Sequence, residues 1–399
     1  MEIERPGAID RIGDSFRVHP AVALIGPRQC GKTTLSRMVA VDEPDATFFD
    51  LESAVDRRRL SVPEQTLGPL AGLVVIDEIQ RQPALFETLR VLLDRPSRRA
   101  RFLLLGSASP ALVRGASETL AGRVGLVDLS GFHLGEVEVA ATGKHAEGSN
   151  QSWRTLWQRG GFPRSYLAPD DPASQLWRQS FVRTFLERDI PQLGISIAAE
   201  TLRRFWTMVA HYHGEVCNAS EFARAMGATQ PVARRYLDIL AGAHMVRVLP
   251  PWHENLKKRQ VKSPKVYVRD TGLLHELLEL PTRDALAGHP KVGASFEGFA
   301  IEQLLASTNA RSAYFWSTHG GAELDLLLIA SGQRYGFEFK YADAPGTTRS
   351  MRVALQDLNL AHLWIVYPGA EAYELDERIS VLPVSEVPRI SLSRPVSLR

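Results

Sequence analysis

Residues 26–34 read GPRQCGKTT, and Gly26, Pro27, Arg28, Gln29, Cys30, Gly31, Lys32 and Thr33 fit the spacing G-x-x-x-x-G-K-[ST]. That spacing is suited to phosphate binding. Glycines let the backbone curl so that several N–H groups face one anion, and a helix that starts there adds the positive end of its dipole. Lys32 is expected to reach the β and γ phosphates of ATP, Thr33 to offer its hydroxyl to Mg2+, and Thr34 to close the nucleotide-binding segment. A magnesium shell needs a further carboxylate. The run LVVIDEIQ supplies Asp77 for that role, and Glu78 beside it is placed to orient or deprotonate an attacking water.

Three other residues belong to the same reading. Ser107, at the end of RFLLLGS, is the expected sensor of the γ phosphate or the water, although serine is also common at strand ends. Arg123 in LAGRVG is a candidate to stabilise charge during phosphoryl transfer, with Arg28 inside the loop as its rival. Cys30 lies where a helix start lowers a thiol pKa, so oxidation could block the phosphate site; the alternative is a small side chain that the loop tolerates.

These residues need a scaffold of strands ending beside a loop. PAVALI at 20–25 reads as a strand, the Gly-containing loop follows, and TTLSRMVAVD reads as a helix. Apolar runs recur at LVVID and RFLLLGS with the helix-like PALFETLRVLLD between them, and VGLVDLSGF offers another strand. This alternation predicts a parallel sheet wrapped by helices.

The 399 residues exceed one ordinary domain, and 44% hydrophobic with 23% charged residues excludes wholesale disorder. No apolar run reaches the roughly 18 residues that span a bilayer, and MEIERPGAID lacks the apolar core of a secretory signal, so the expected location is cytoplasmic, with no membrane partner. Cys30 and Cys217 make neither a zinc pattern nor a disulfide framework. A net charge of +2 leaves DNA binding to local patches such as KKRQVKSPK at 257–265, for which a solvated loop is the simpler reading.

A small, polar stretch at 138–152 reads as a linker, and helical patterns dominate after it. The aromatic stripes of SQLWRQSFVRTFLERDI and ETLRRFWTMVAHYHG are read as core. NASEFARAMG, TQPVARRYLDILAGAHM and VRVLPPW suit a winged helix-turn-helix with Arg234 and Arg235 on the second helix, an arrangement that serves DNA readers and protein-contact modules alike. KVYVRDTGLLHELL, GASFEGFAIEQLLAS, AYFWST, ELDLLLIAS, YGFEFKY and HLWIVYP, taken as the last strand, make a second α/β unit. The expected division is 1–142 for the ATPase, 143–256 for the helical and winged-helix region, and 257–399 for the final domain.

GPRQCGKTTL, LVVIDEIQ, LLLGSAS, LAGR, GGFPRSYL, FLERDI and GASFEGFAIEQLL, in that order, resemble bacterial and archaeal AAA-type ATPases that carry a C-terminal domain of unknown function. The resemblance covers about 15 to about 370 and implies an additional-strand catalytic-glutamate core, a winged-helix region and a C-terminal α/β fold similar to PD-(D/E)XK nucleases. LSGFHLGEV departs from the relatives' Pro-Leu-Ser and aromatic-Glu pattern, so the contacts of that loop are not carried over.

Under this resemblance Glu297, Asp325, Glu338 and Lys340 form a second acidic constellation. In such nucleases two strand carboxylates hold a divalent metal, here Mg2+ or Mn2+, and a lysine stabilises developing charge. Alternation along FEFK puts Glu338 and Lys340 on one face; a degenerate fold keeping them as a buried ion-pair cluster is the alternative. Three functions follow: an ATP-driven switch or motor with DNA as candidate partner, a nucleotide-regulated DNA nuclease, and a scaffold whose homo-oligomeric assembly bound nucleotide controls.

Overall fold

The computed structural model describes residues 3–96, 99–107, 118–142, 149–254, 259–310 and 312–392. Two compact units partition them: Met1–Gly131 with Gly242–His244, and Phe132–Ala241 with Met245–Arg399.

In the first unit β1 (Ala21–Gly26) is buried at every position, as a run of apolar residues must be when helices cover both faces of a parallel sheet. The sheet also contains β2 (Thr47–Asp50), β3 (Ala71–Asp77), β4 (Arg99–Ser107) and β5 (Val124–Asp128), in the order β2-β3-β4-β1-β5. Every pairing is parallel. The crossovers include α2 (Lys32–Val39) after β1 and α5 (Leu85–Leu93) after β3, with α1 (Pro6–Val18) before the sheet and α3 (Ala54–Arg59) and α4 (Pro63–Leu67) following β2.

Helix α5 shows why its sequence is helical. Leu85, Phe86, Leu89, Leu92 and Leu93 recur at helical spacing and all are buried, forming one stripe that packs with Val74, Ile76 and Leu104 of the sheet. Full burial of one such leucine contributes about 1.5–3 kcal/mol. The sequence reading omitted α1 and β2: Gly7 and Gly13 dilute the helical signal of α1, and TFFD is four residues with a single buried position.

The second unit is helical first and then mixed. The expected linker at 138–152 is corrected by α6 (Leu134–Thr142) and α7 (Ser149–Arg159), between which 143–148 lie outside the described residues. Ala and Glu in EVEVAAT are good helix formers, which outweighs the small-residue content. Next come α8 (Asp171–Thr184) and α9 (Ala199–His211), whose aromatic stripes are core: Trp206 is fully buried with Phe185 at 5.2 Å, and Phe205 meets Phe222 at 5.5 Å.

A short β6 (Glu215–Val216), α10 (Ala219–Met226), α11 (Gln230–Gly242), β7 (Val246–Leu249) and β8 (Lys265–Val268) follow, and the strands form a three-stranded antiparallel sheet ordered β6-β8-β7. The chain continues through α12 (Thr271–Leu277) and α13 (Val292–Thr308) into a six-stranded sheet. That sheet contains β9 (Ala313–Ser317), β10 (Glu323–Ala330), β11 (Gln333–Phe339), β12 (His362–Tyr367), β13 (Tyr373–Asp376) and β14 (Ile379–Pro383), with α14 (Arg349–Asp357) between β11 and β12. HLWIVYP is therefore not the last strand: β13 and β14 come after it, and β14 pairs parallel to β12.

Candidate functional site

The phosphate-binding segment leaves the C-terminal end of β1 and enters α2. Gly26 permits the exit, because a Cβ there would stand 2.0 Å from the Leu129 carbonyl oxygen. Gly31 makes the turn into the helix at φ 99°, a left-handed conformation that favours glycine, and Gln29 also lies at positive φ. Pro27 and Cys30 are buried, while Gln29, Thr33 and Thr34 are exposed. The Cys30 thiol donates to the Leu129 carbonyl at 3.6 Å and is fully buried, so the redox reading fails for want of access.

Lys32 is buried, and its ammonium donates to the loop carbonyls of Gly26 at 3.0 Å and Pro27 at 2.8 Å. Thr33 donates its hydroxyl to Asp77 Oδ2 at 2.6 Å, so the first turn of α2 meets the end of β3. The other Asp77 oxygen accepts the Glu78 backbone N–H at 2.9 Å. Glu78 itself has φ 53° and ψ 43°, a left-handed conformation uncommon for a non-glycine residue and costing on the order of 1–3 kcal/mol. Strain of that kind concentrates at functional sites, and here it aims a carboxylate.

Around Glu78 the chain assembles polar partners. Ser107 Oγ donates to Glu78 Oε2 at 3.4 Å, Gln80 donates to the same oxygen, and the Arg28 guanidinium lies 3.9 Å from it. Ser107 reaches this place because β4 ends beside β1, with Ser107 paired to Gly26 in the sheet register. Arg28 also donates to Ser107 at 3.4 Å and is held 3.5 Å from Glu52, to which Arg81 pairs at 2.7 Å. Gln80, Glu52 and Arg81 were missed by the sequence reading. Gln80 and Arg81 carried a signal, since they follow Glu78 in the same run; Glu52 comes from a separate segment and carried none.

Arg123 is not brought to this cluster. It precedes β5 at the N-terminal edge of the sheet, where its backbone carbonyl accepts the Ala21 N–H. The strand β1 puts roughly 16 Å between that edge and the phosphate loop, at about 3.3 Å per residue. The Arg123 fork instead grips Asp94, at 2.6 and 2.8 Å, and holds its carboxyl below the usual carboxylate range. Of the two rival arginines, Arg28 is the one beside the loop.

In the second unit Glu297 of α13, Asp325 of β10, Glu338 near the end of β11 and Lys340, one residue past it, do converge. Lys340 contacts Glu338 at 2.9 Å and Asp325 at 3.9 Å, on one strand face as expected. The cluster also contains Lys265, expected in a solvated basic patch yet only 4% exposed, whose ammonium lies 2.5 Å from Glu323, 3.5 Å from Glu297 and 3.8 Å from Asp325. Lys257 and Lys258 of that patch lie outside the described residues. Tyr267 donates to Glu297 at 2.6 Å, and the Phe339 N–H donates to Asp325 Oδ2 at 3.1 Å.

Burial, reinforced by Asp325, pushes Glu297 up to about 7 and Glu338 up to about 8. Burial works against a charged Lys265, but Glu297, Asp325 and Glu323 overcome it and hold the ammonium protonated. The Glu338 Oε1 atom is buried without a hydrogen-bond partner. A second divalent cation was expected here, and the residues as arranged do not fit one: the oxygens of Glu297 and Asp325 are engaged by two ammonium groups and an N–H. Among the described residues no group of three or more His, Cys, Asp or Glu is disposed to hold a metal ion.

Sheet order, phosphate loop and the carboxylates of β3 define the first unit as an AAA-type P-loop nucleotide-binding fold, and the family described as AAA domain matches residues 18–138. Two families described as domains of unknown function, DUF8612 and DUF4143, match residues 150–284 and 292–387. Uncharacterized protein Rv2008c of Mycobacterium tuberculosis is 50% identical over 387 residues, covering 97% of this chain and 85% of its own. Uncharacterized protein Mb2031c of Mycobacterium bovis matches with the same identity and coverage. The chain belongs to the family of these two proteins. Among solved structures, the Walker-type ATPase PABY2304 of Pyrococcus abyssi is 13% identical, with a TM-score of 0.49 over 69% of this chain and 96% of that one. Among the described residues no helix is long and apolar enough to cross a membrane.

Proposed function

We propose that the chain hydrolyses ATP at the C-terminal ends of β1, β3 and β4. One observation carries this reading: Thr33, Asp77, Glu78 and Ser107, from three different elements, form a continuous hydrogen-bonded line beside the phosphate loop. The backbone N–H groups of 26–34 and the N-terminus of α2 bind phosphate oxygens. Lys32 engages them by exchanging its bonds to the Gly26 and Pro27 carbonyls for charge-assisted bonds to the β and γ phosphates. Mg2+, for which the adjacent Thr33 hydroxyl and Asp77 carboxylate are suitable hard oxygen donors, neutralises phosphate charge when bound.

Glu78 accepts a proton from water as the water oxygen attacks the γ phosphorus, and the bond to the β,γ-bridging oxygen breaks to release ADP. Ser107 and Gln80 orient the Glu78 carboxylate, and Arg28 supplies positive charge on the same side. Phosphate release by the purified chain with ATP and magnesium, lost in Lys32→Ala, tests the proposal; equal release by both proteins overturns it.

The finer reading is a nucleotide cycle that repositions the regions 143–256 and 257–399, with DNA as candidate partner. The order helix, strand, two helices, two strands in 199–268, with Arg234 and Arg235 exposed on α11, supports a winged-helix reading. Stimulation of ATP turnover by duplex DNA, absent in an Arg234→Ala, Arg235→Ala variant, is the expected result. No cation-dependent step is assigned to the lysine-neutralised cluster of the second unit, so the nuclease alternative rests on resemblance alone. The assembly-scaffold alternative predicts nucleotide-dependent change in molecular mass by light scattering, without turnover.

A further inference from the structure

A phosphate loop turns its N–H groups toward the anion, which leaves its carbonyls facing the protein, where each needs a donor. For Cys30 that donor is distant in sequence. Arg5, only 3% exposed, donates Nη1 to the Cys30 carbonyl at 3.2 Å and to the Ser130 carbonyl at 3.2 Å, and Nη2 to the Gly131 carbonyl at 3.1 Å. One planar fork therefore joins the loop to the segment that follows β5.

The same two segments meet in three other ways. Leu129 donates its N–H to Ile25 at 2.7 Å, its carbonyl accepts the Cys30 thiol, and that carbonyl lies where a Gly26 side chain would stand. Gly131 is the last residue of the first unit before the chain enters the second. A loop carbonyl that shifts when phosphate binds must move Arg5, and Arg5 cannot move without releasing the carbonyls of Ser130 and Gly131.

We infer that Arg5 is a positioning residue that holds the phosphate loop in its binding shape and transmits nucleotide occupancy to residues 129–131. The inference rests on the ATP-binding reading of the loop. Arginine suits the task because its donors diverge in a fixed plane toward separate acceptors, whereas a lysine offers one compact charge that cannot span them.

The test uses the full chain, Arg5→Lys and Arg5→Met, with a fluorescent ATP analogue and magnesium, followed by amide hydrogen exchange with and without ATP. Wild type is expected to bind, and nucleotide to slow exchange at 129–131. Arg5→Lys is expected to bind about tenfold more weakly, the scale of one lost hydrogen bond to a charged group, and to show no added protection at 129–131. A purely structural role would lower the melting temperature of both variants and leave affinity and protection in the folded protein unchanged, which overturns the inference. Arg5→Lys keeps the test decisive where Arg5→Met does not fold. Failure of wild type to bind nucleotide overturns the ATPase reading itself, and this inference with it.

Discussion

The Thr33 hydroxyl and the Asp77 carboxylate are joined by a hydrogen bond of 2.6 Å, although 44 residues separate them in the chain. The contact places the first turn of α2 against the end of β3 and sets two oxygen donors side by side, as a hard divalent cation requires. Thr33→Val and Asp77→Asn are each expected to raise the magnesium concentration needed for half-maximal ATP turnover by about tenfold or more. Nucleotide affinity measured in EDTA should change less. Magnesium titration of the steady-state rate checks this, and an unchanged half-maximal concentration in both variants rejects the assignment.

The two arginines named from sequence are expected to separate by position. Arg28→Ala should lower turnover by about 10²-fold, because its guanidinium faces Glu78 and Ser107. Arg123→Ala should leave nucleotide affinity unchanged, since its partner is Asp94 at the other edge of the sheet. Equilibrium binding and phosphate release on both variants decide the matter; a loss of affinity in Arg123→Ala would contradict the geometry.

In the second unit two buried histidines should each withdraw stability as pH falls below about 6.5, against the opposite contribution of Glu297 and Glu338, whose raised pKa values let the folded chain take up protons between about 8 and 4.5. Burial keeps His213 neutral, with a pKa of about 3, and His275 neutral, with a pKa of about 4, against an ordinary value of 6.5. At these two sites the unfolded chain binds protons that the folded chain refuses, so the histidine contribution is present above 6.5 and drains as pH falls toward 4. Each histidine contributes on the order of 2–3 kcal/mol to that loss. Glu302 extends it. Burial alone would raise its pKa, but Arg247 and Arg269 depress it to about 2, so its contribution disappears between 4.5 and 2. Urea unfolding of wild type and His213→Gln from pH 8 to pH 4 isolates the histidine: the stability of wild type relative to the variant should fall as pH falls, and a pH-independent difference is the contrary outcome.

Much of the proposed nucleotide site was readable because it is local. Gly26 to Thr33 lie in one contiguous run, and Asp77 with Glu78 ends an apolar run that could hardly be anything but a buried strand. The partners that complete the site were not readable for the opposite reason. Arg5 and Glu52 arrive from segments with no shared motif, and only the fold brings them near the loop, whereas Arg81 lies three residues past Glu78. Arg123 was misplaced because a linear reading sees an arginine near a strand but not which end of a parallel strand it marks. Lys265 looked like one charge in a basic loop; it is the opening residue of β8, where alternation turns its side chain into the carboxylate cluster.

In the proposed mechanism Glu78 acts on water while Lys32 acts on phosphate. The most direct measurement is single-turnover hydrolysis of ATP by Glu78→Gln, with nucleotide affinity determined on the same protein. The amide keeps nearly the size of the carboxylate and loses its basicity. Affinity is expected within about threefold of wild type and the cleavage rate lower by about 10²–10⁴-fold. A cleavage rate equal to wild type, with nucleotide bound, would contradict this mechanism.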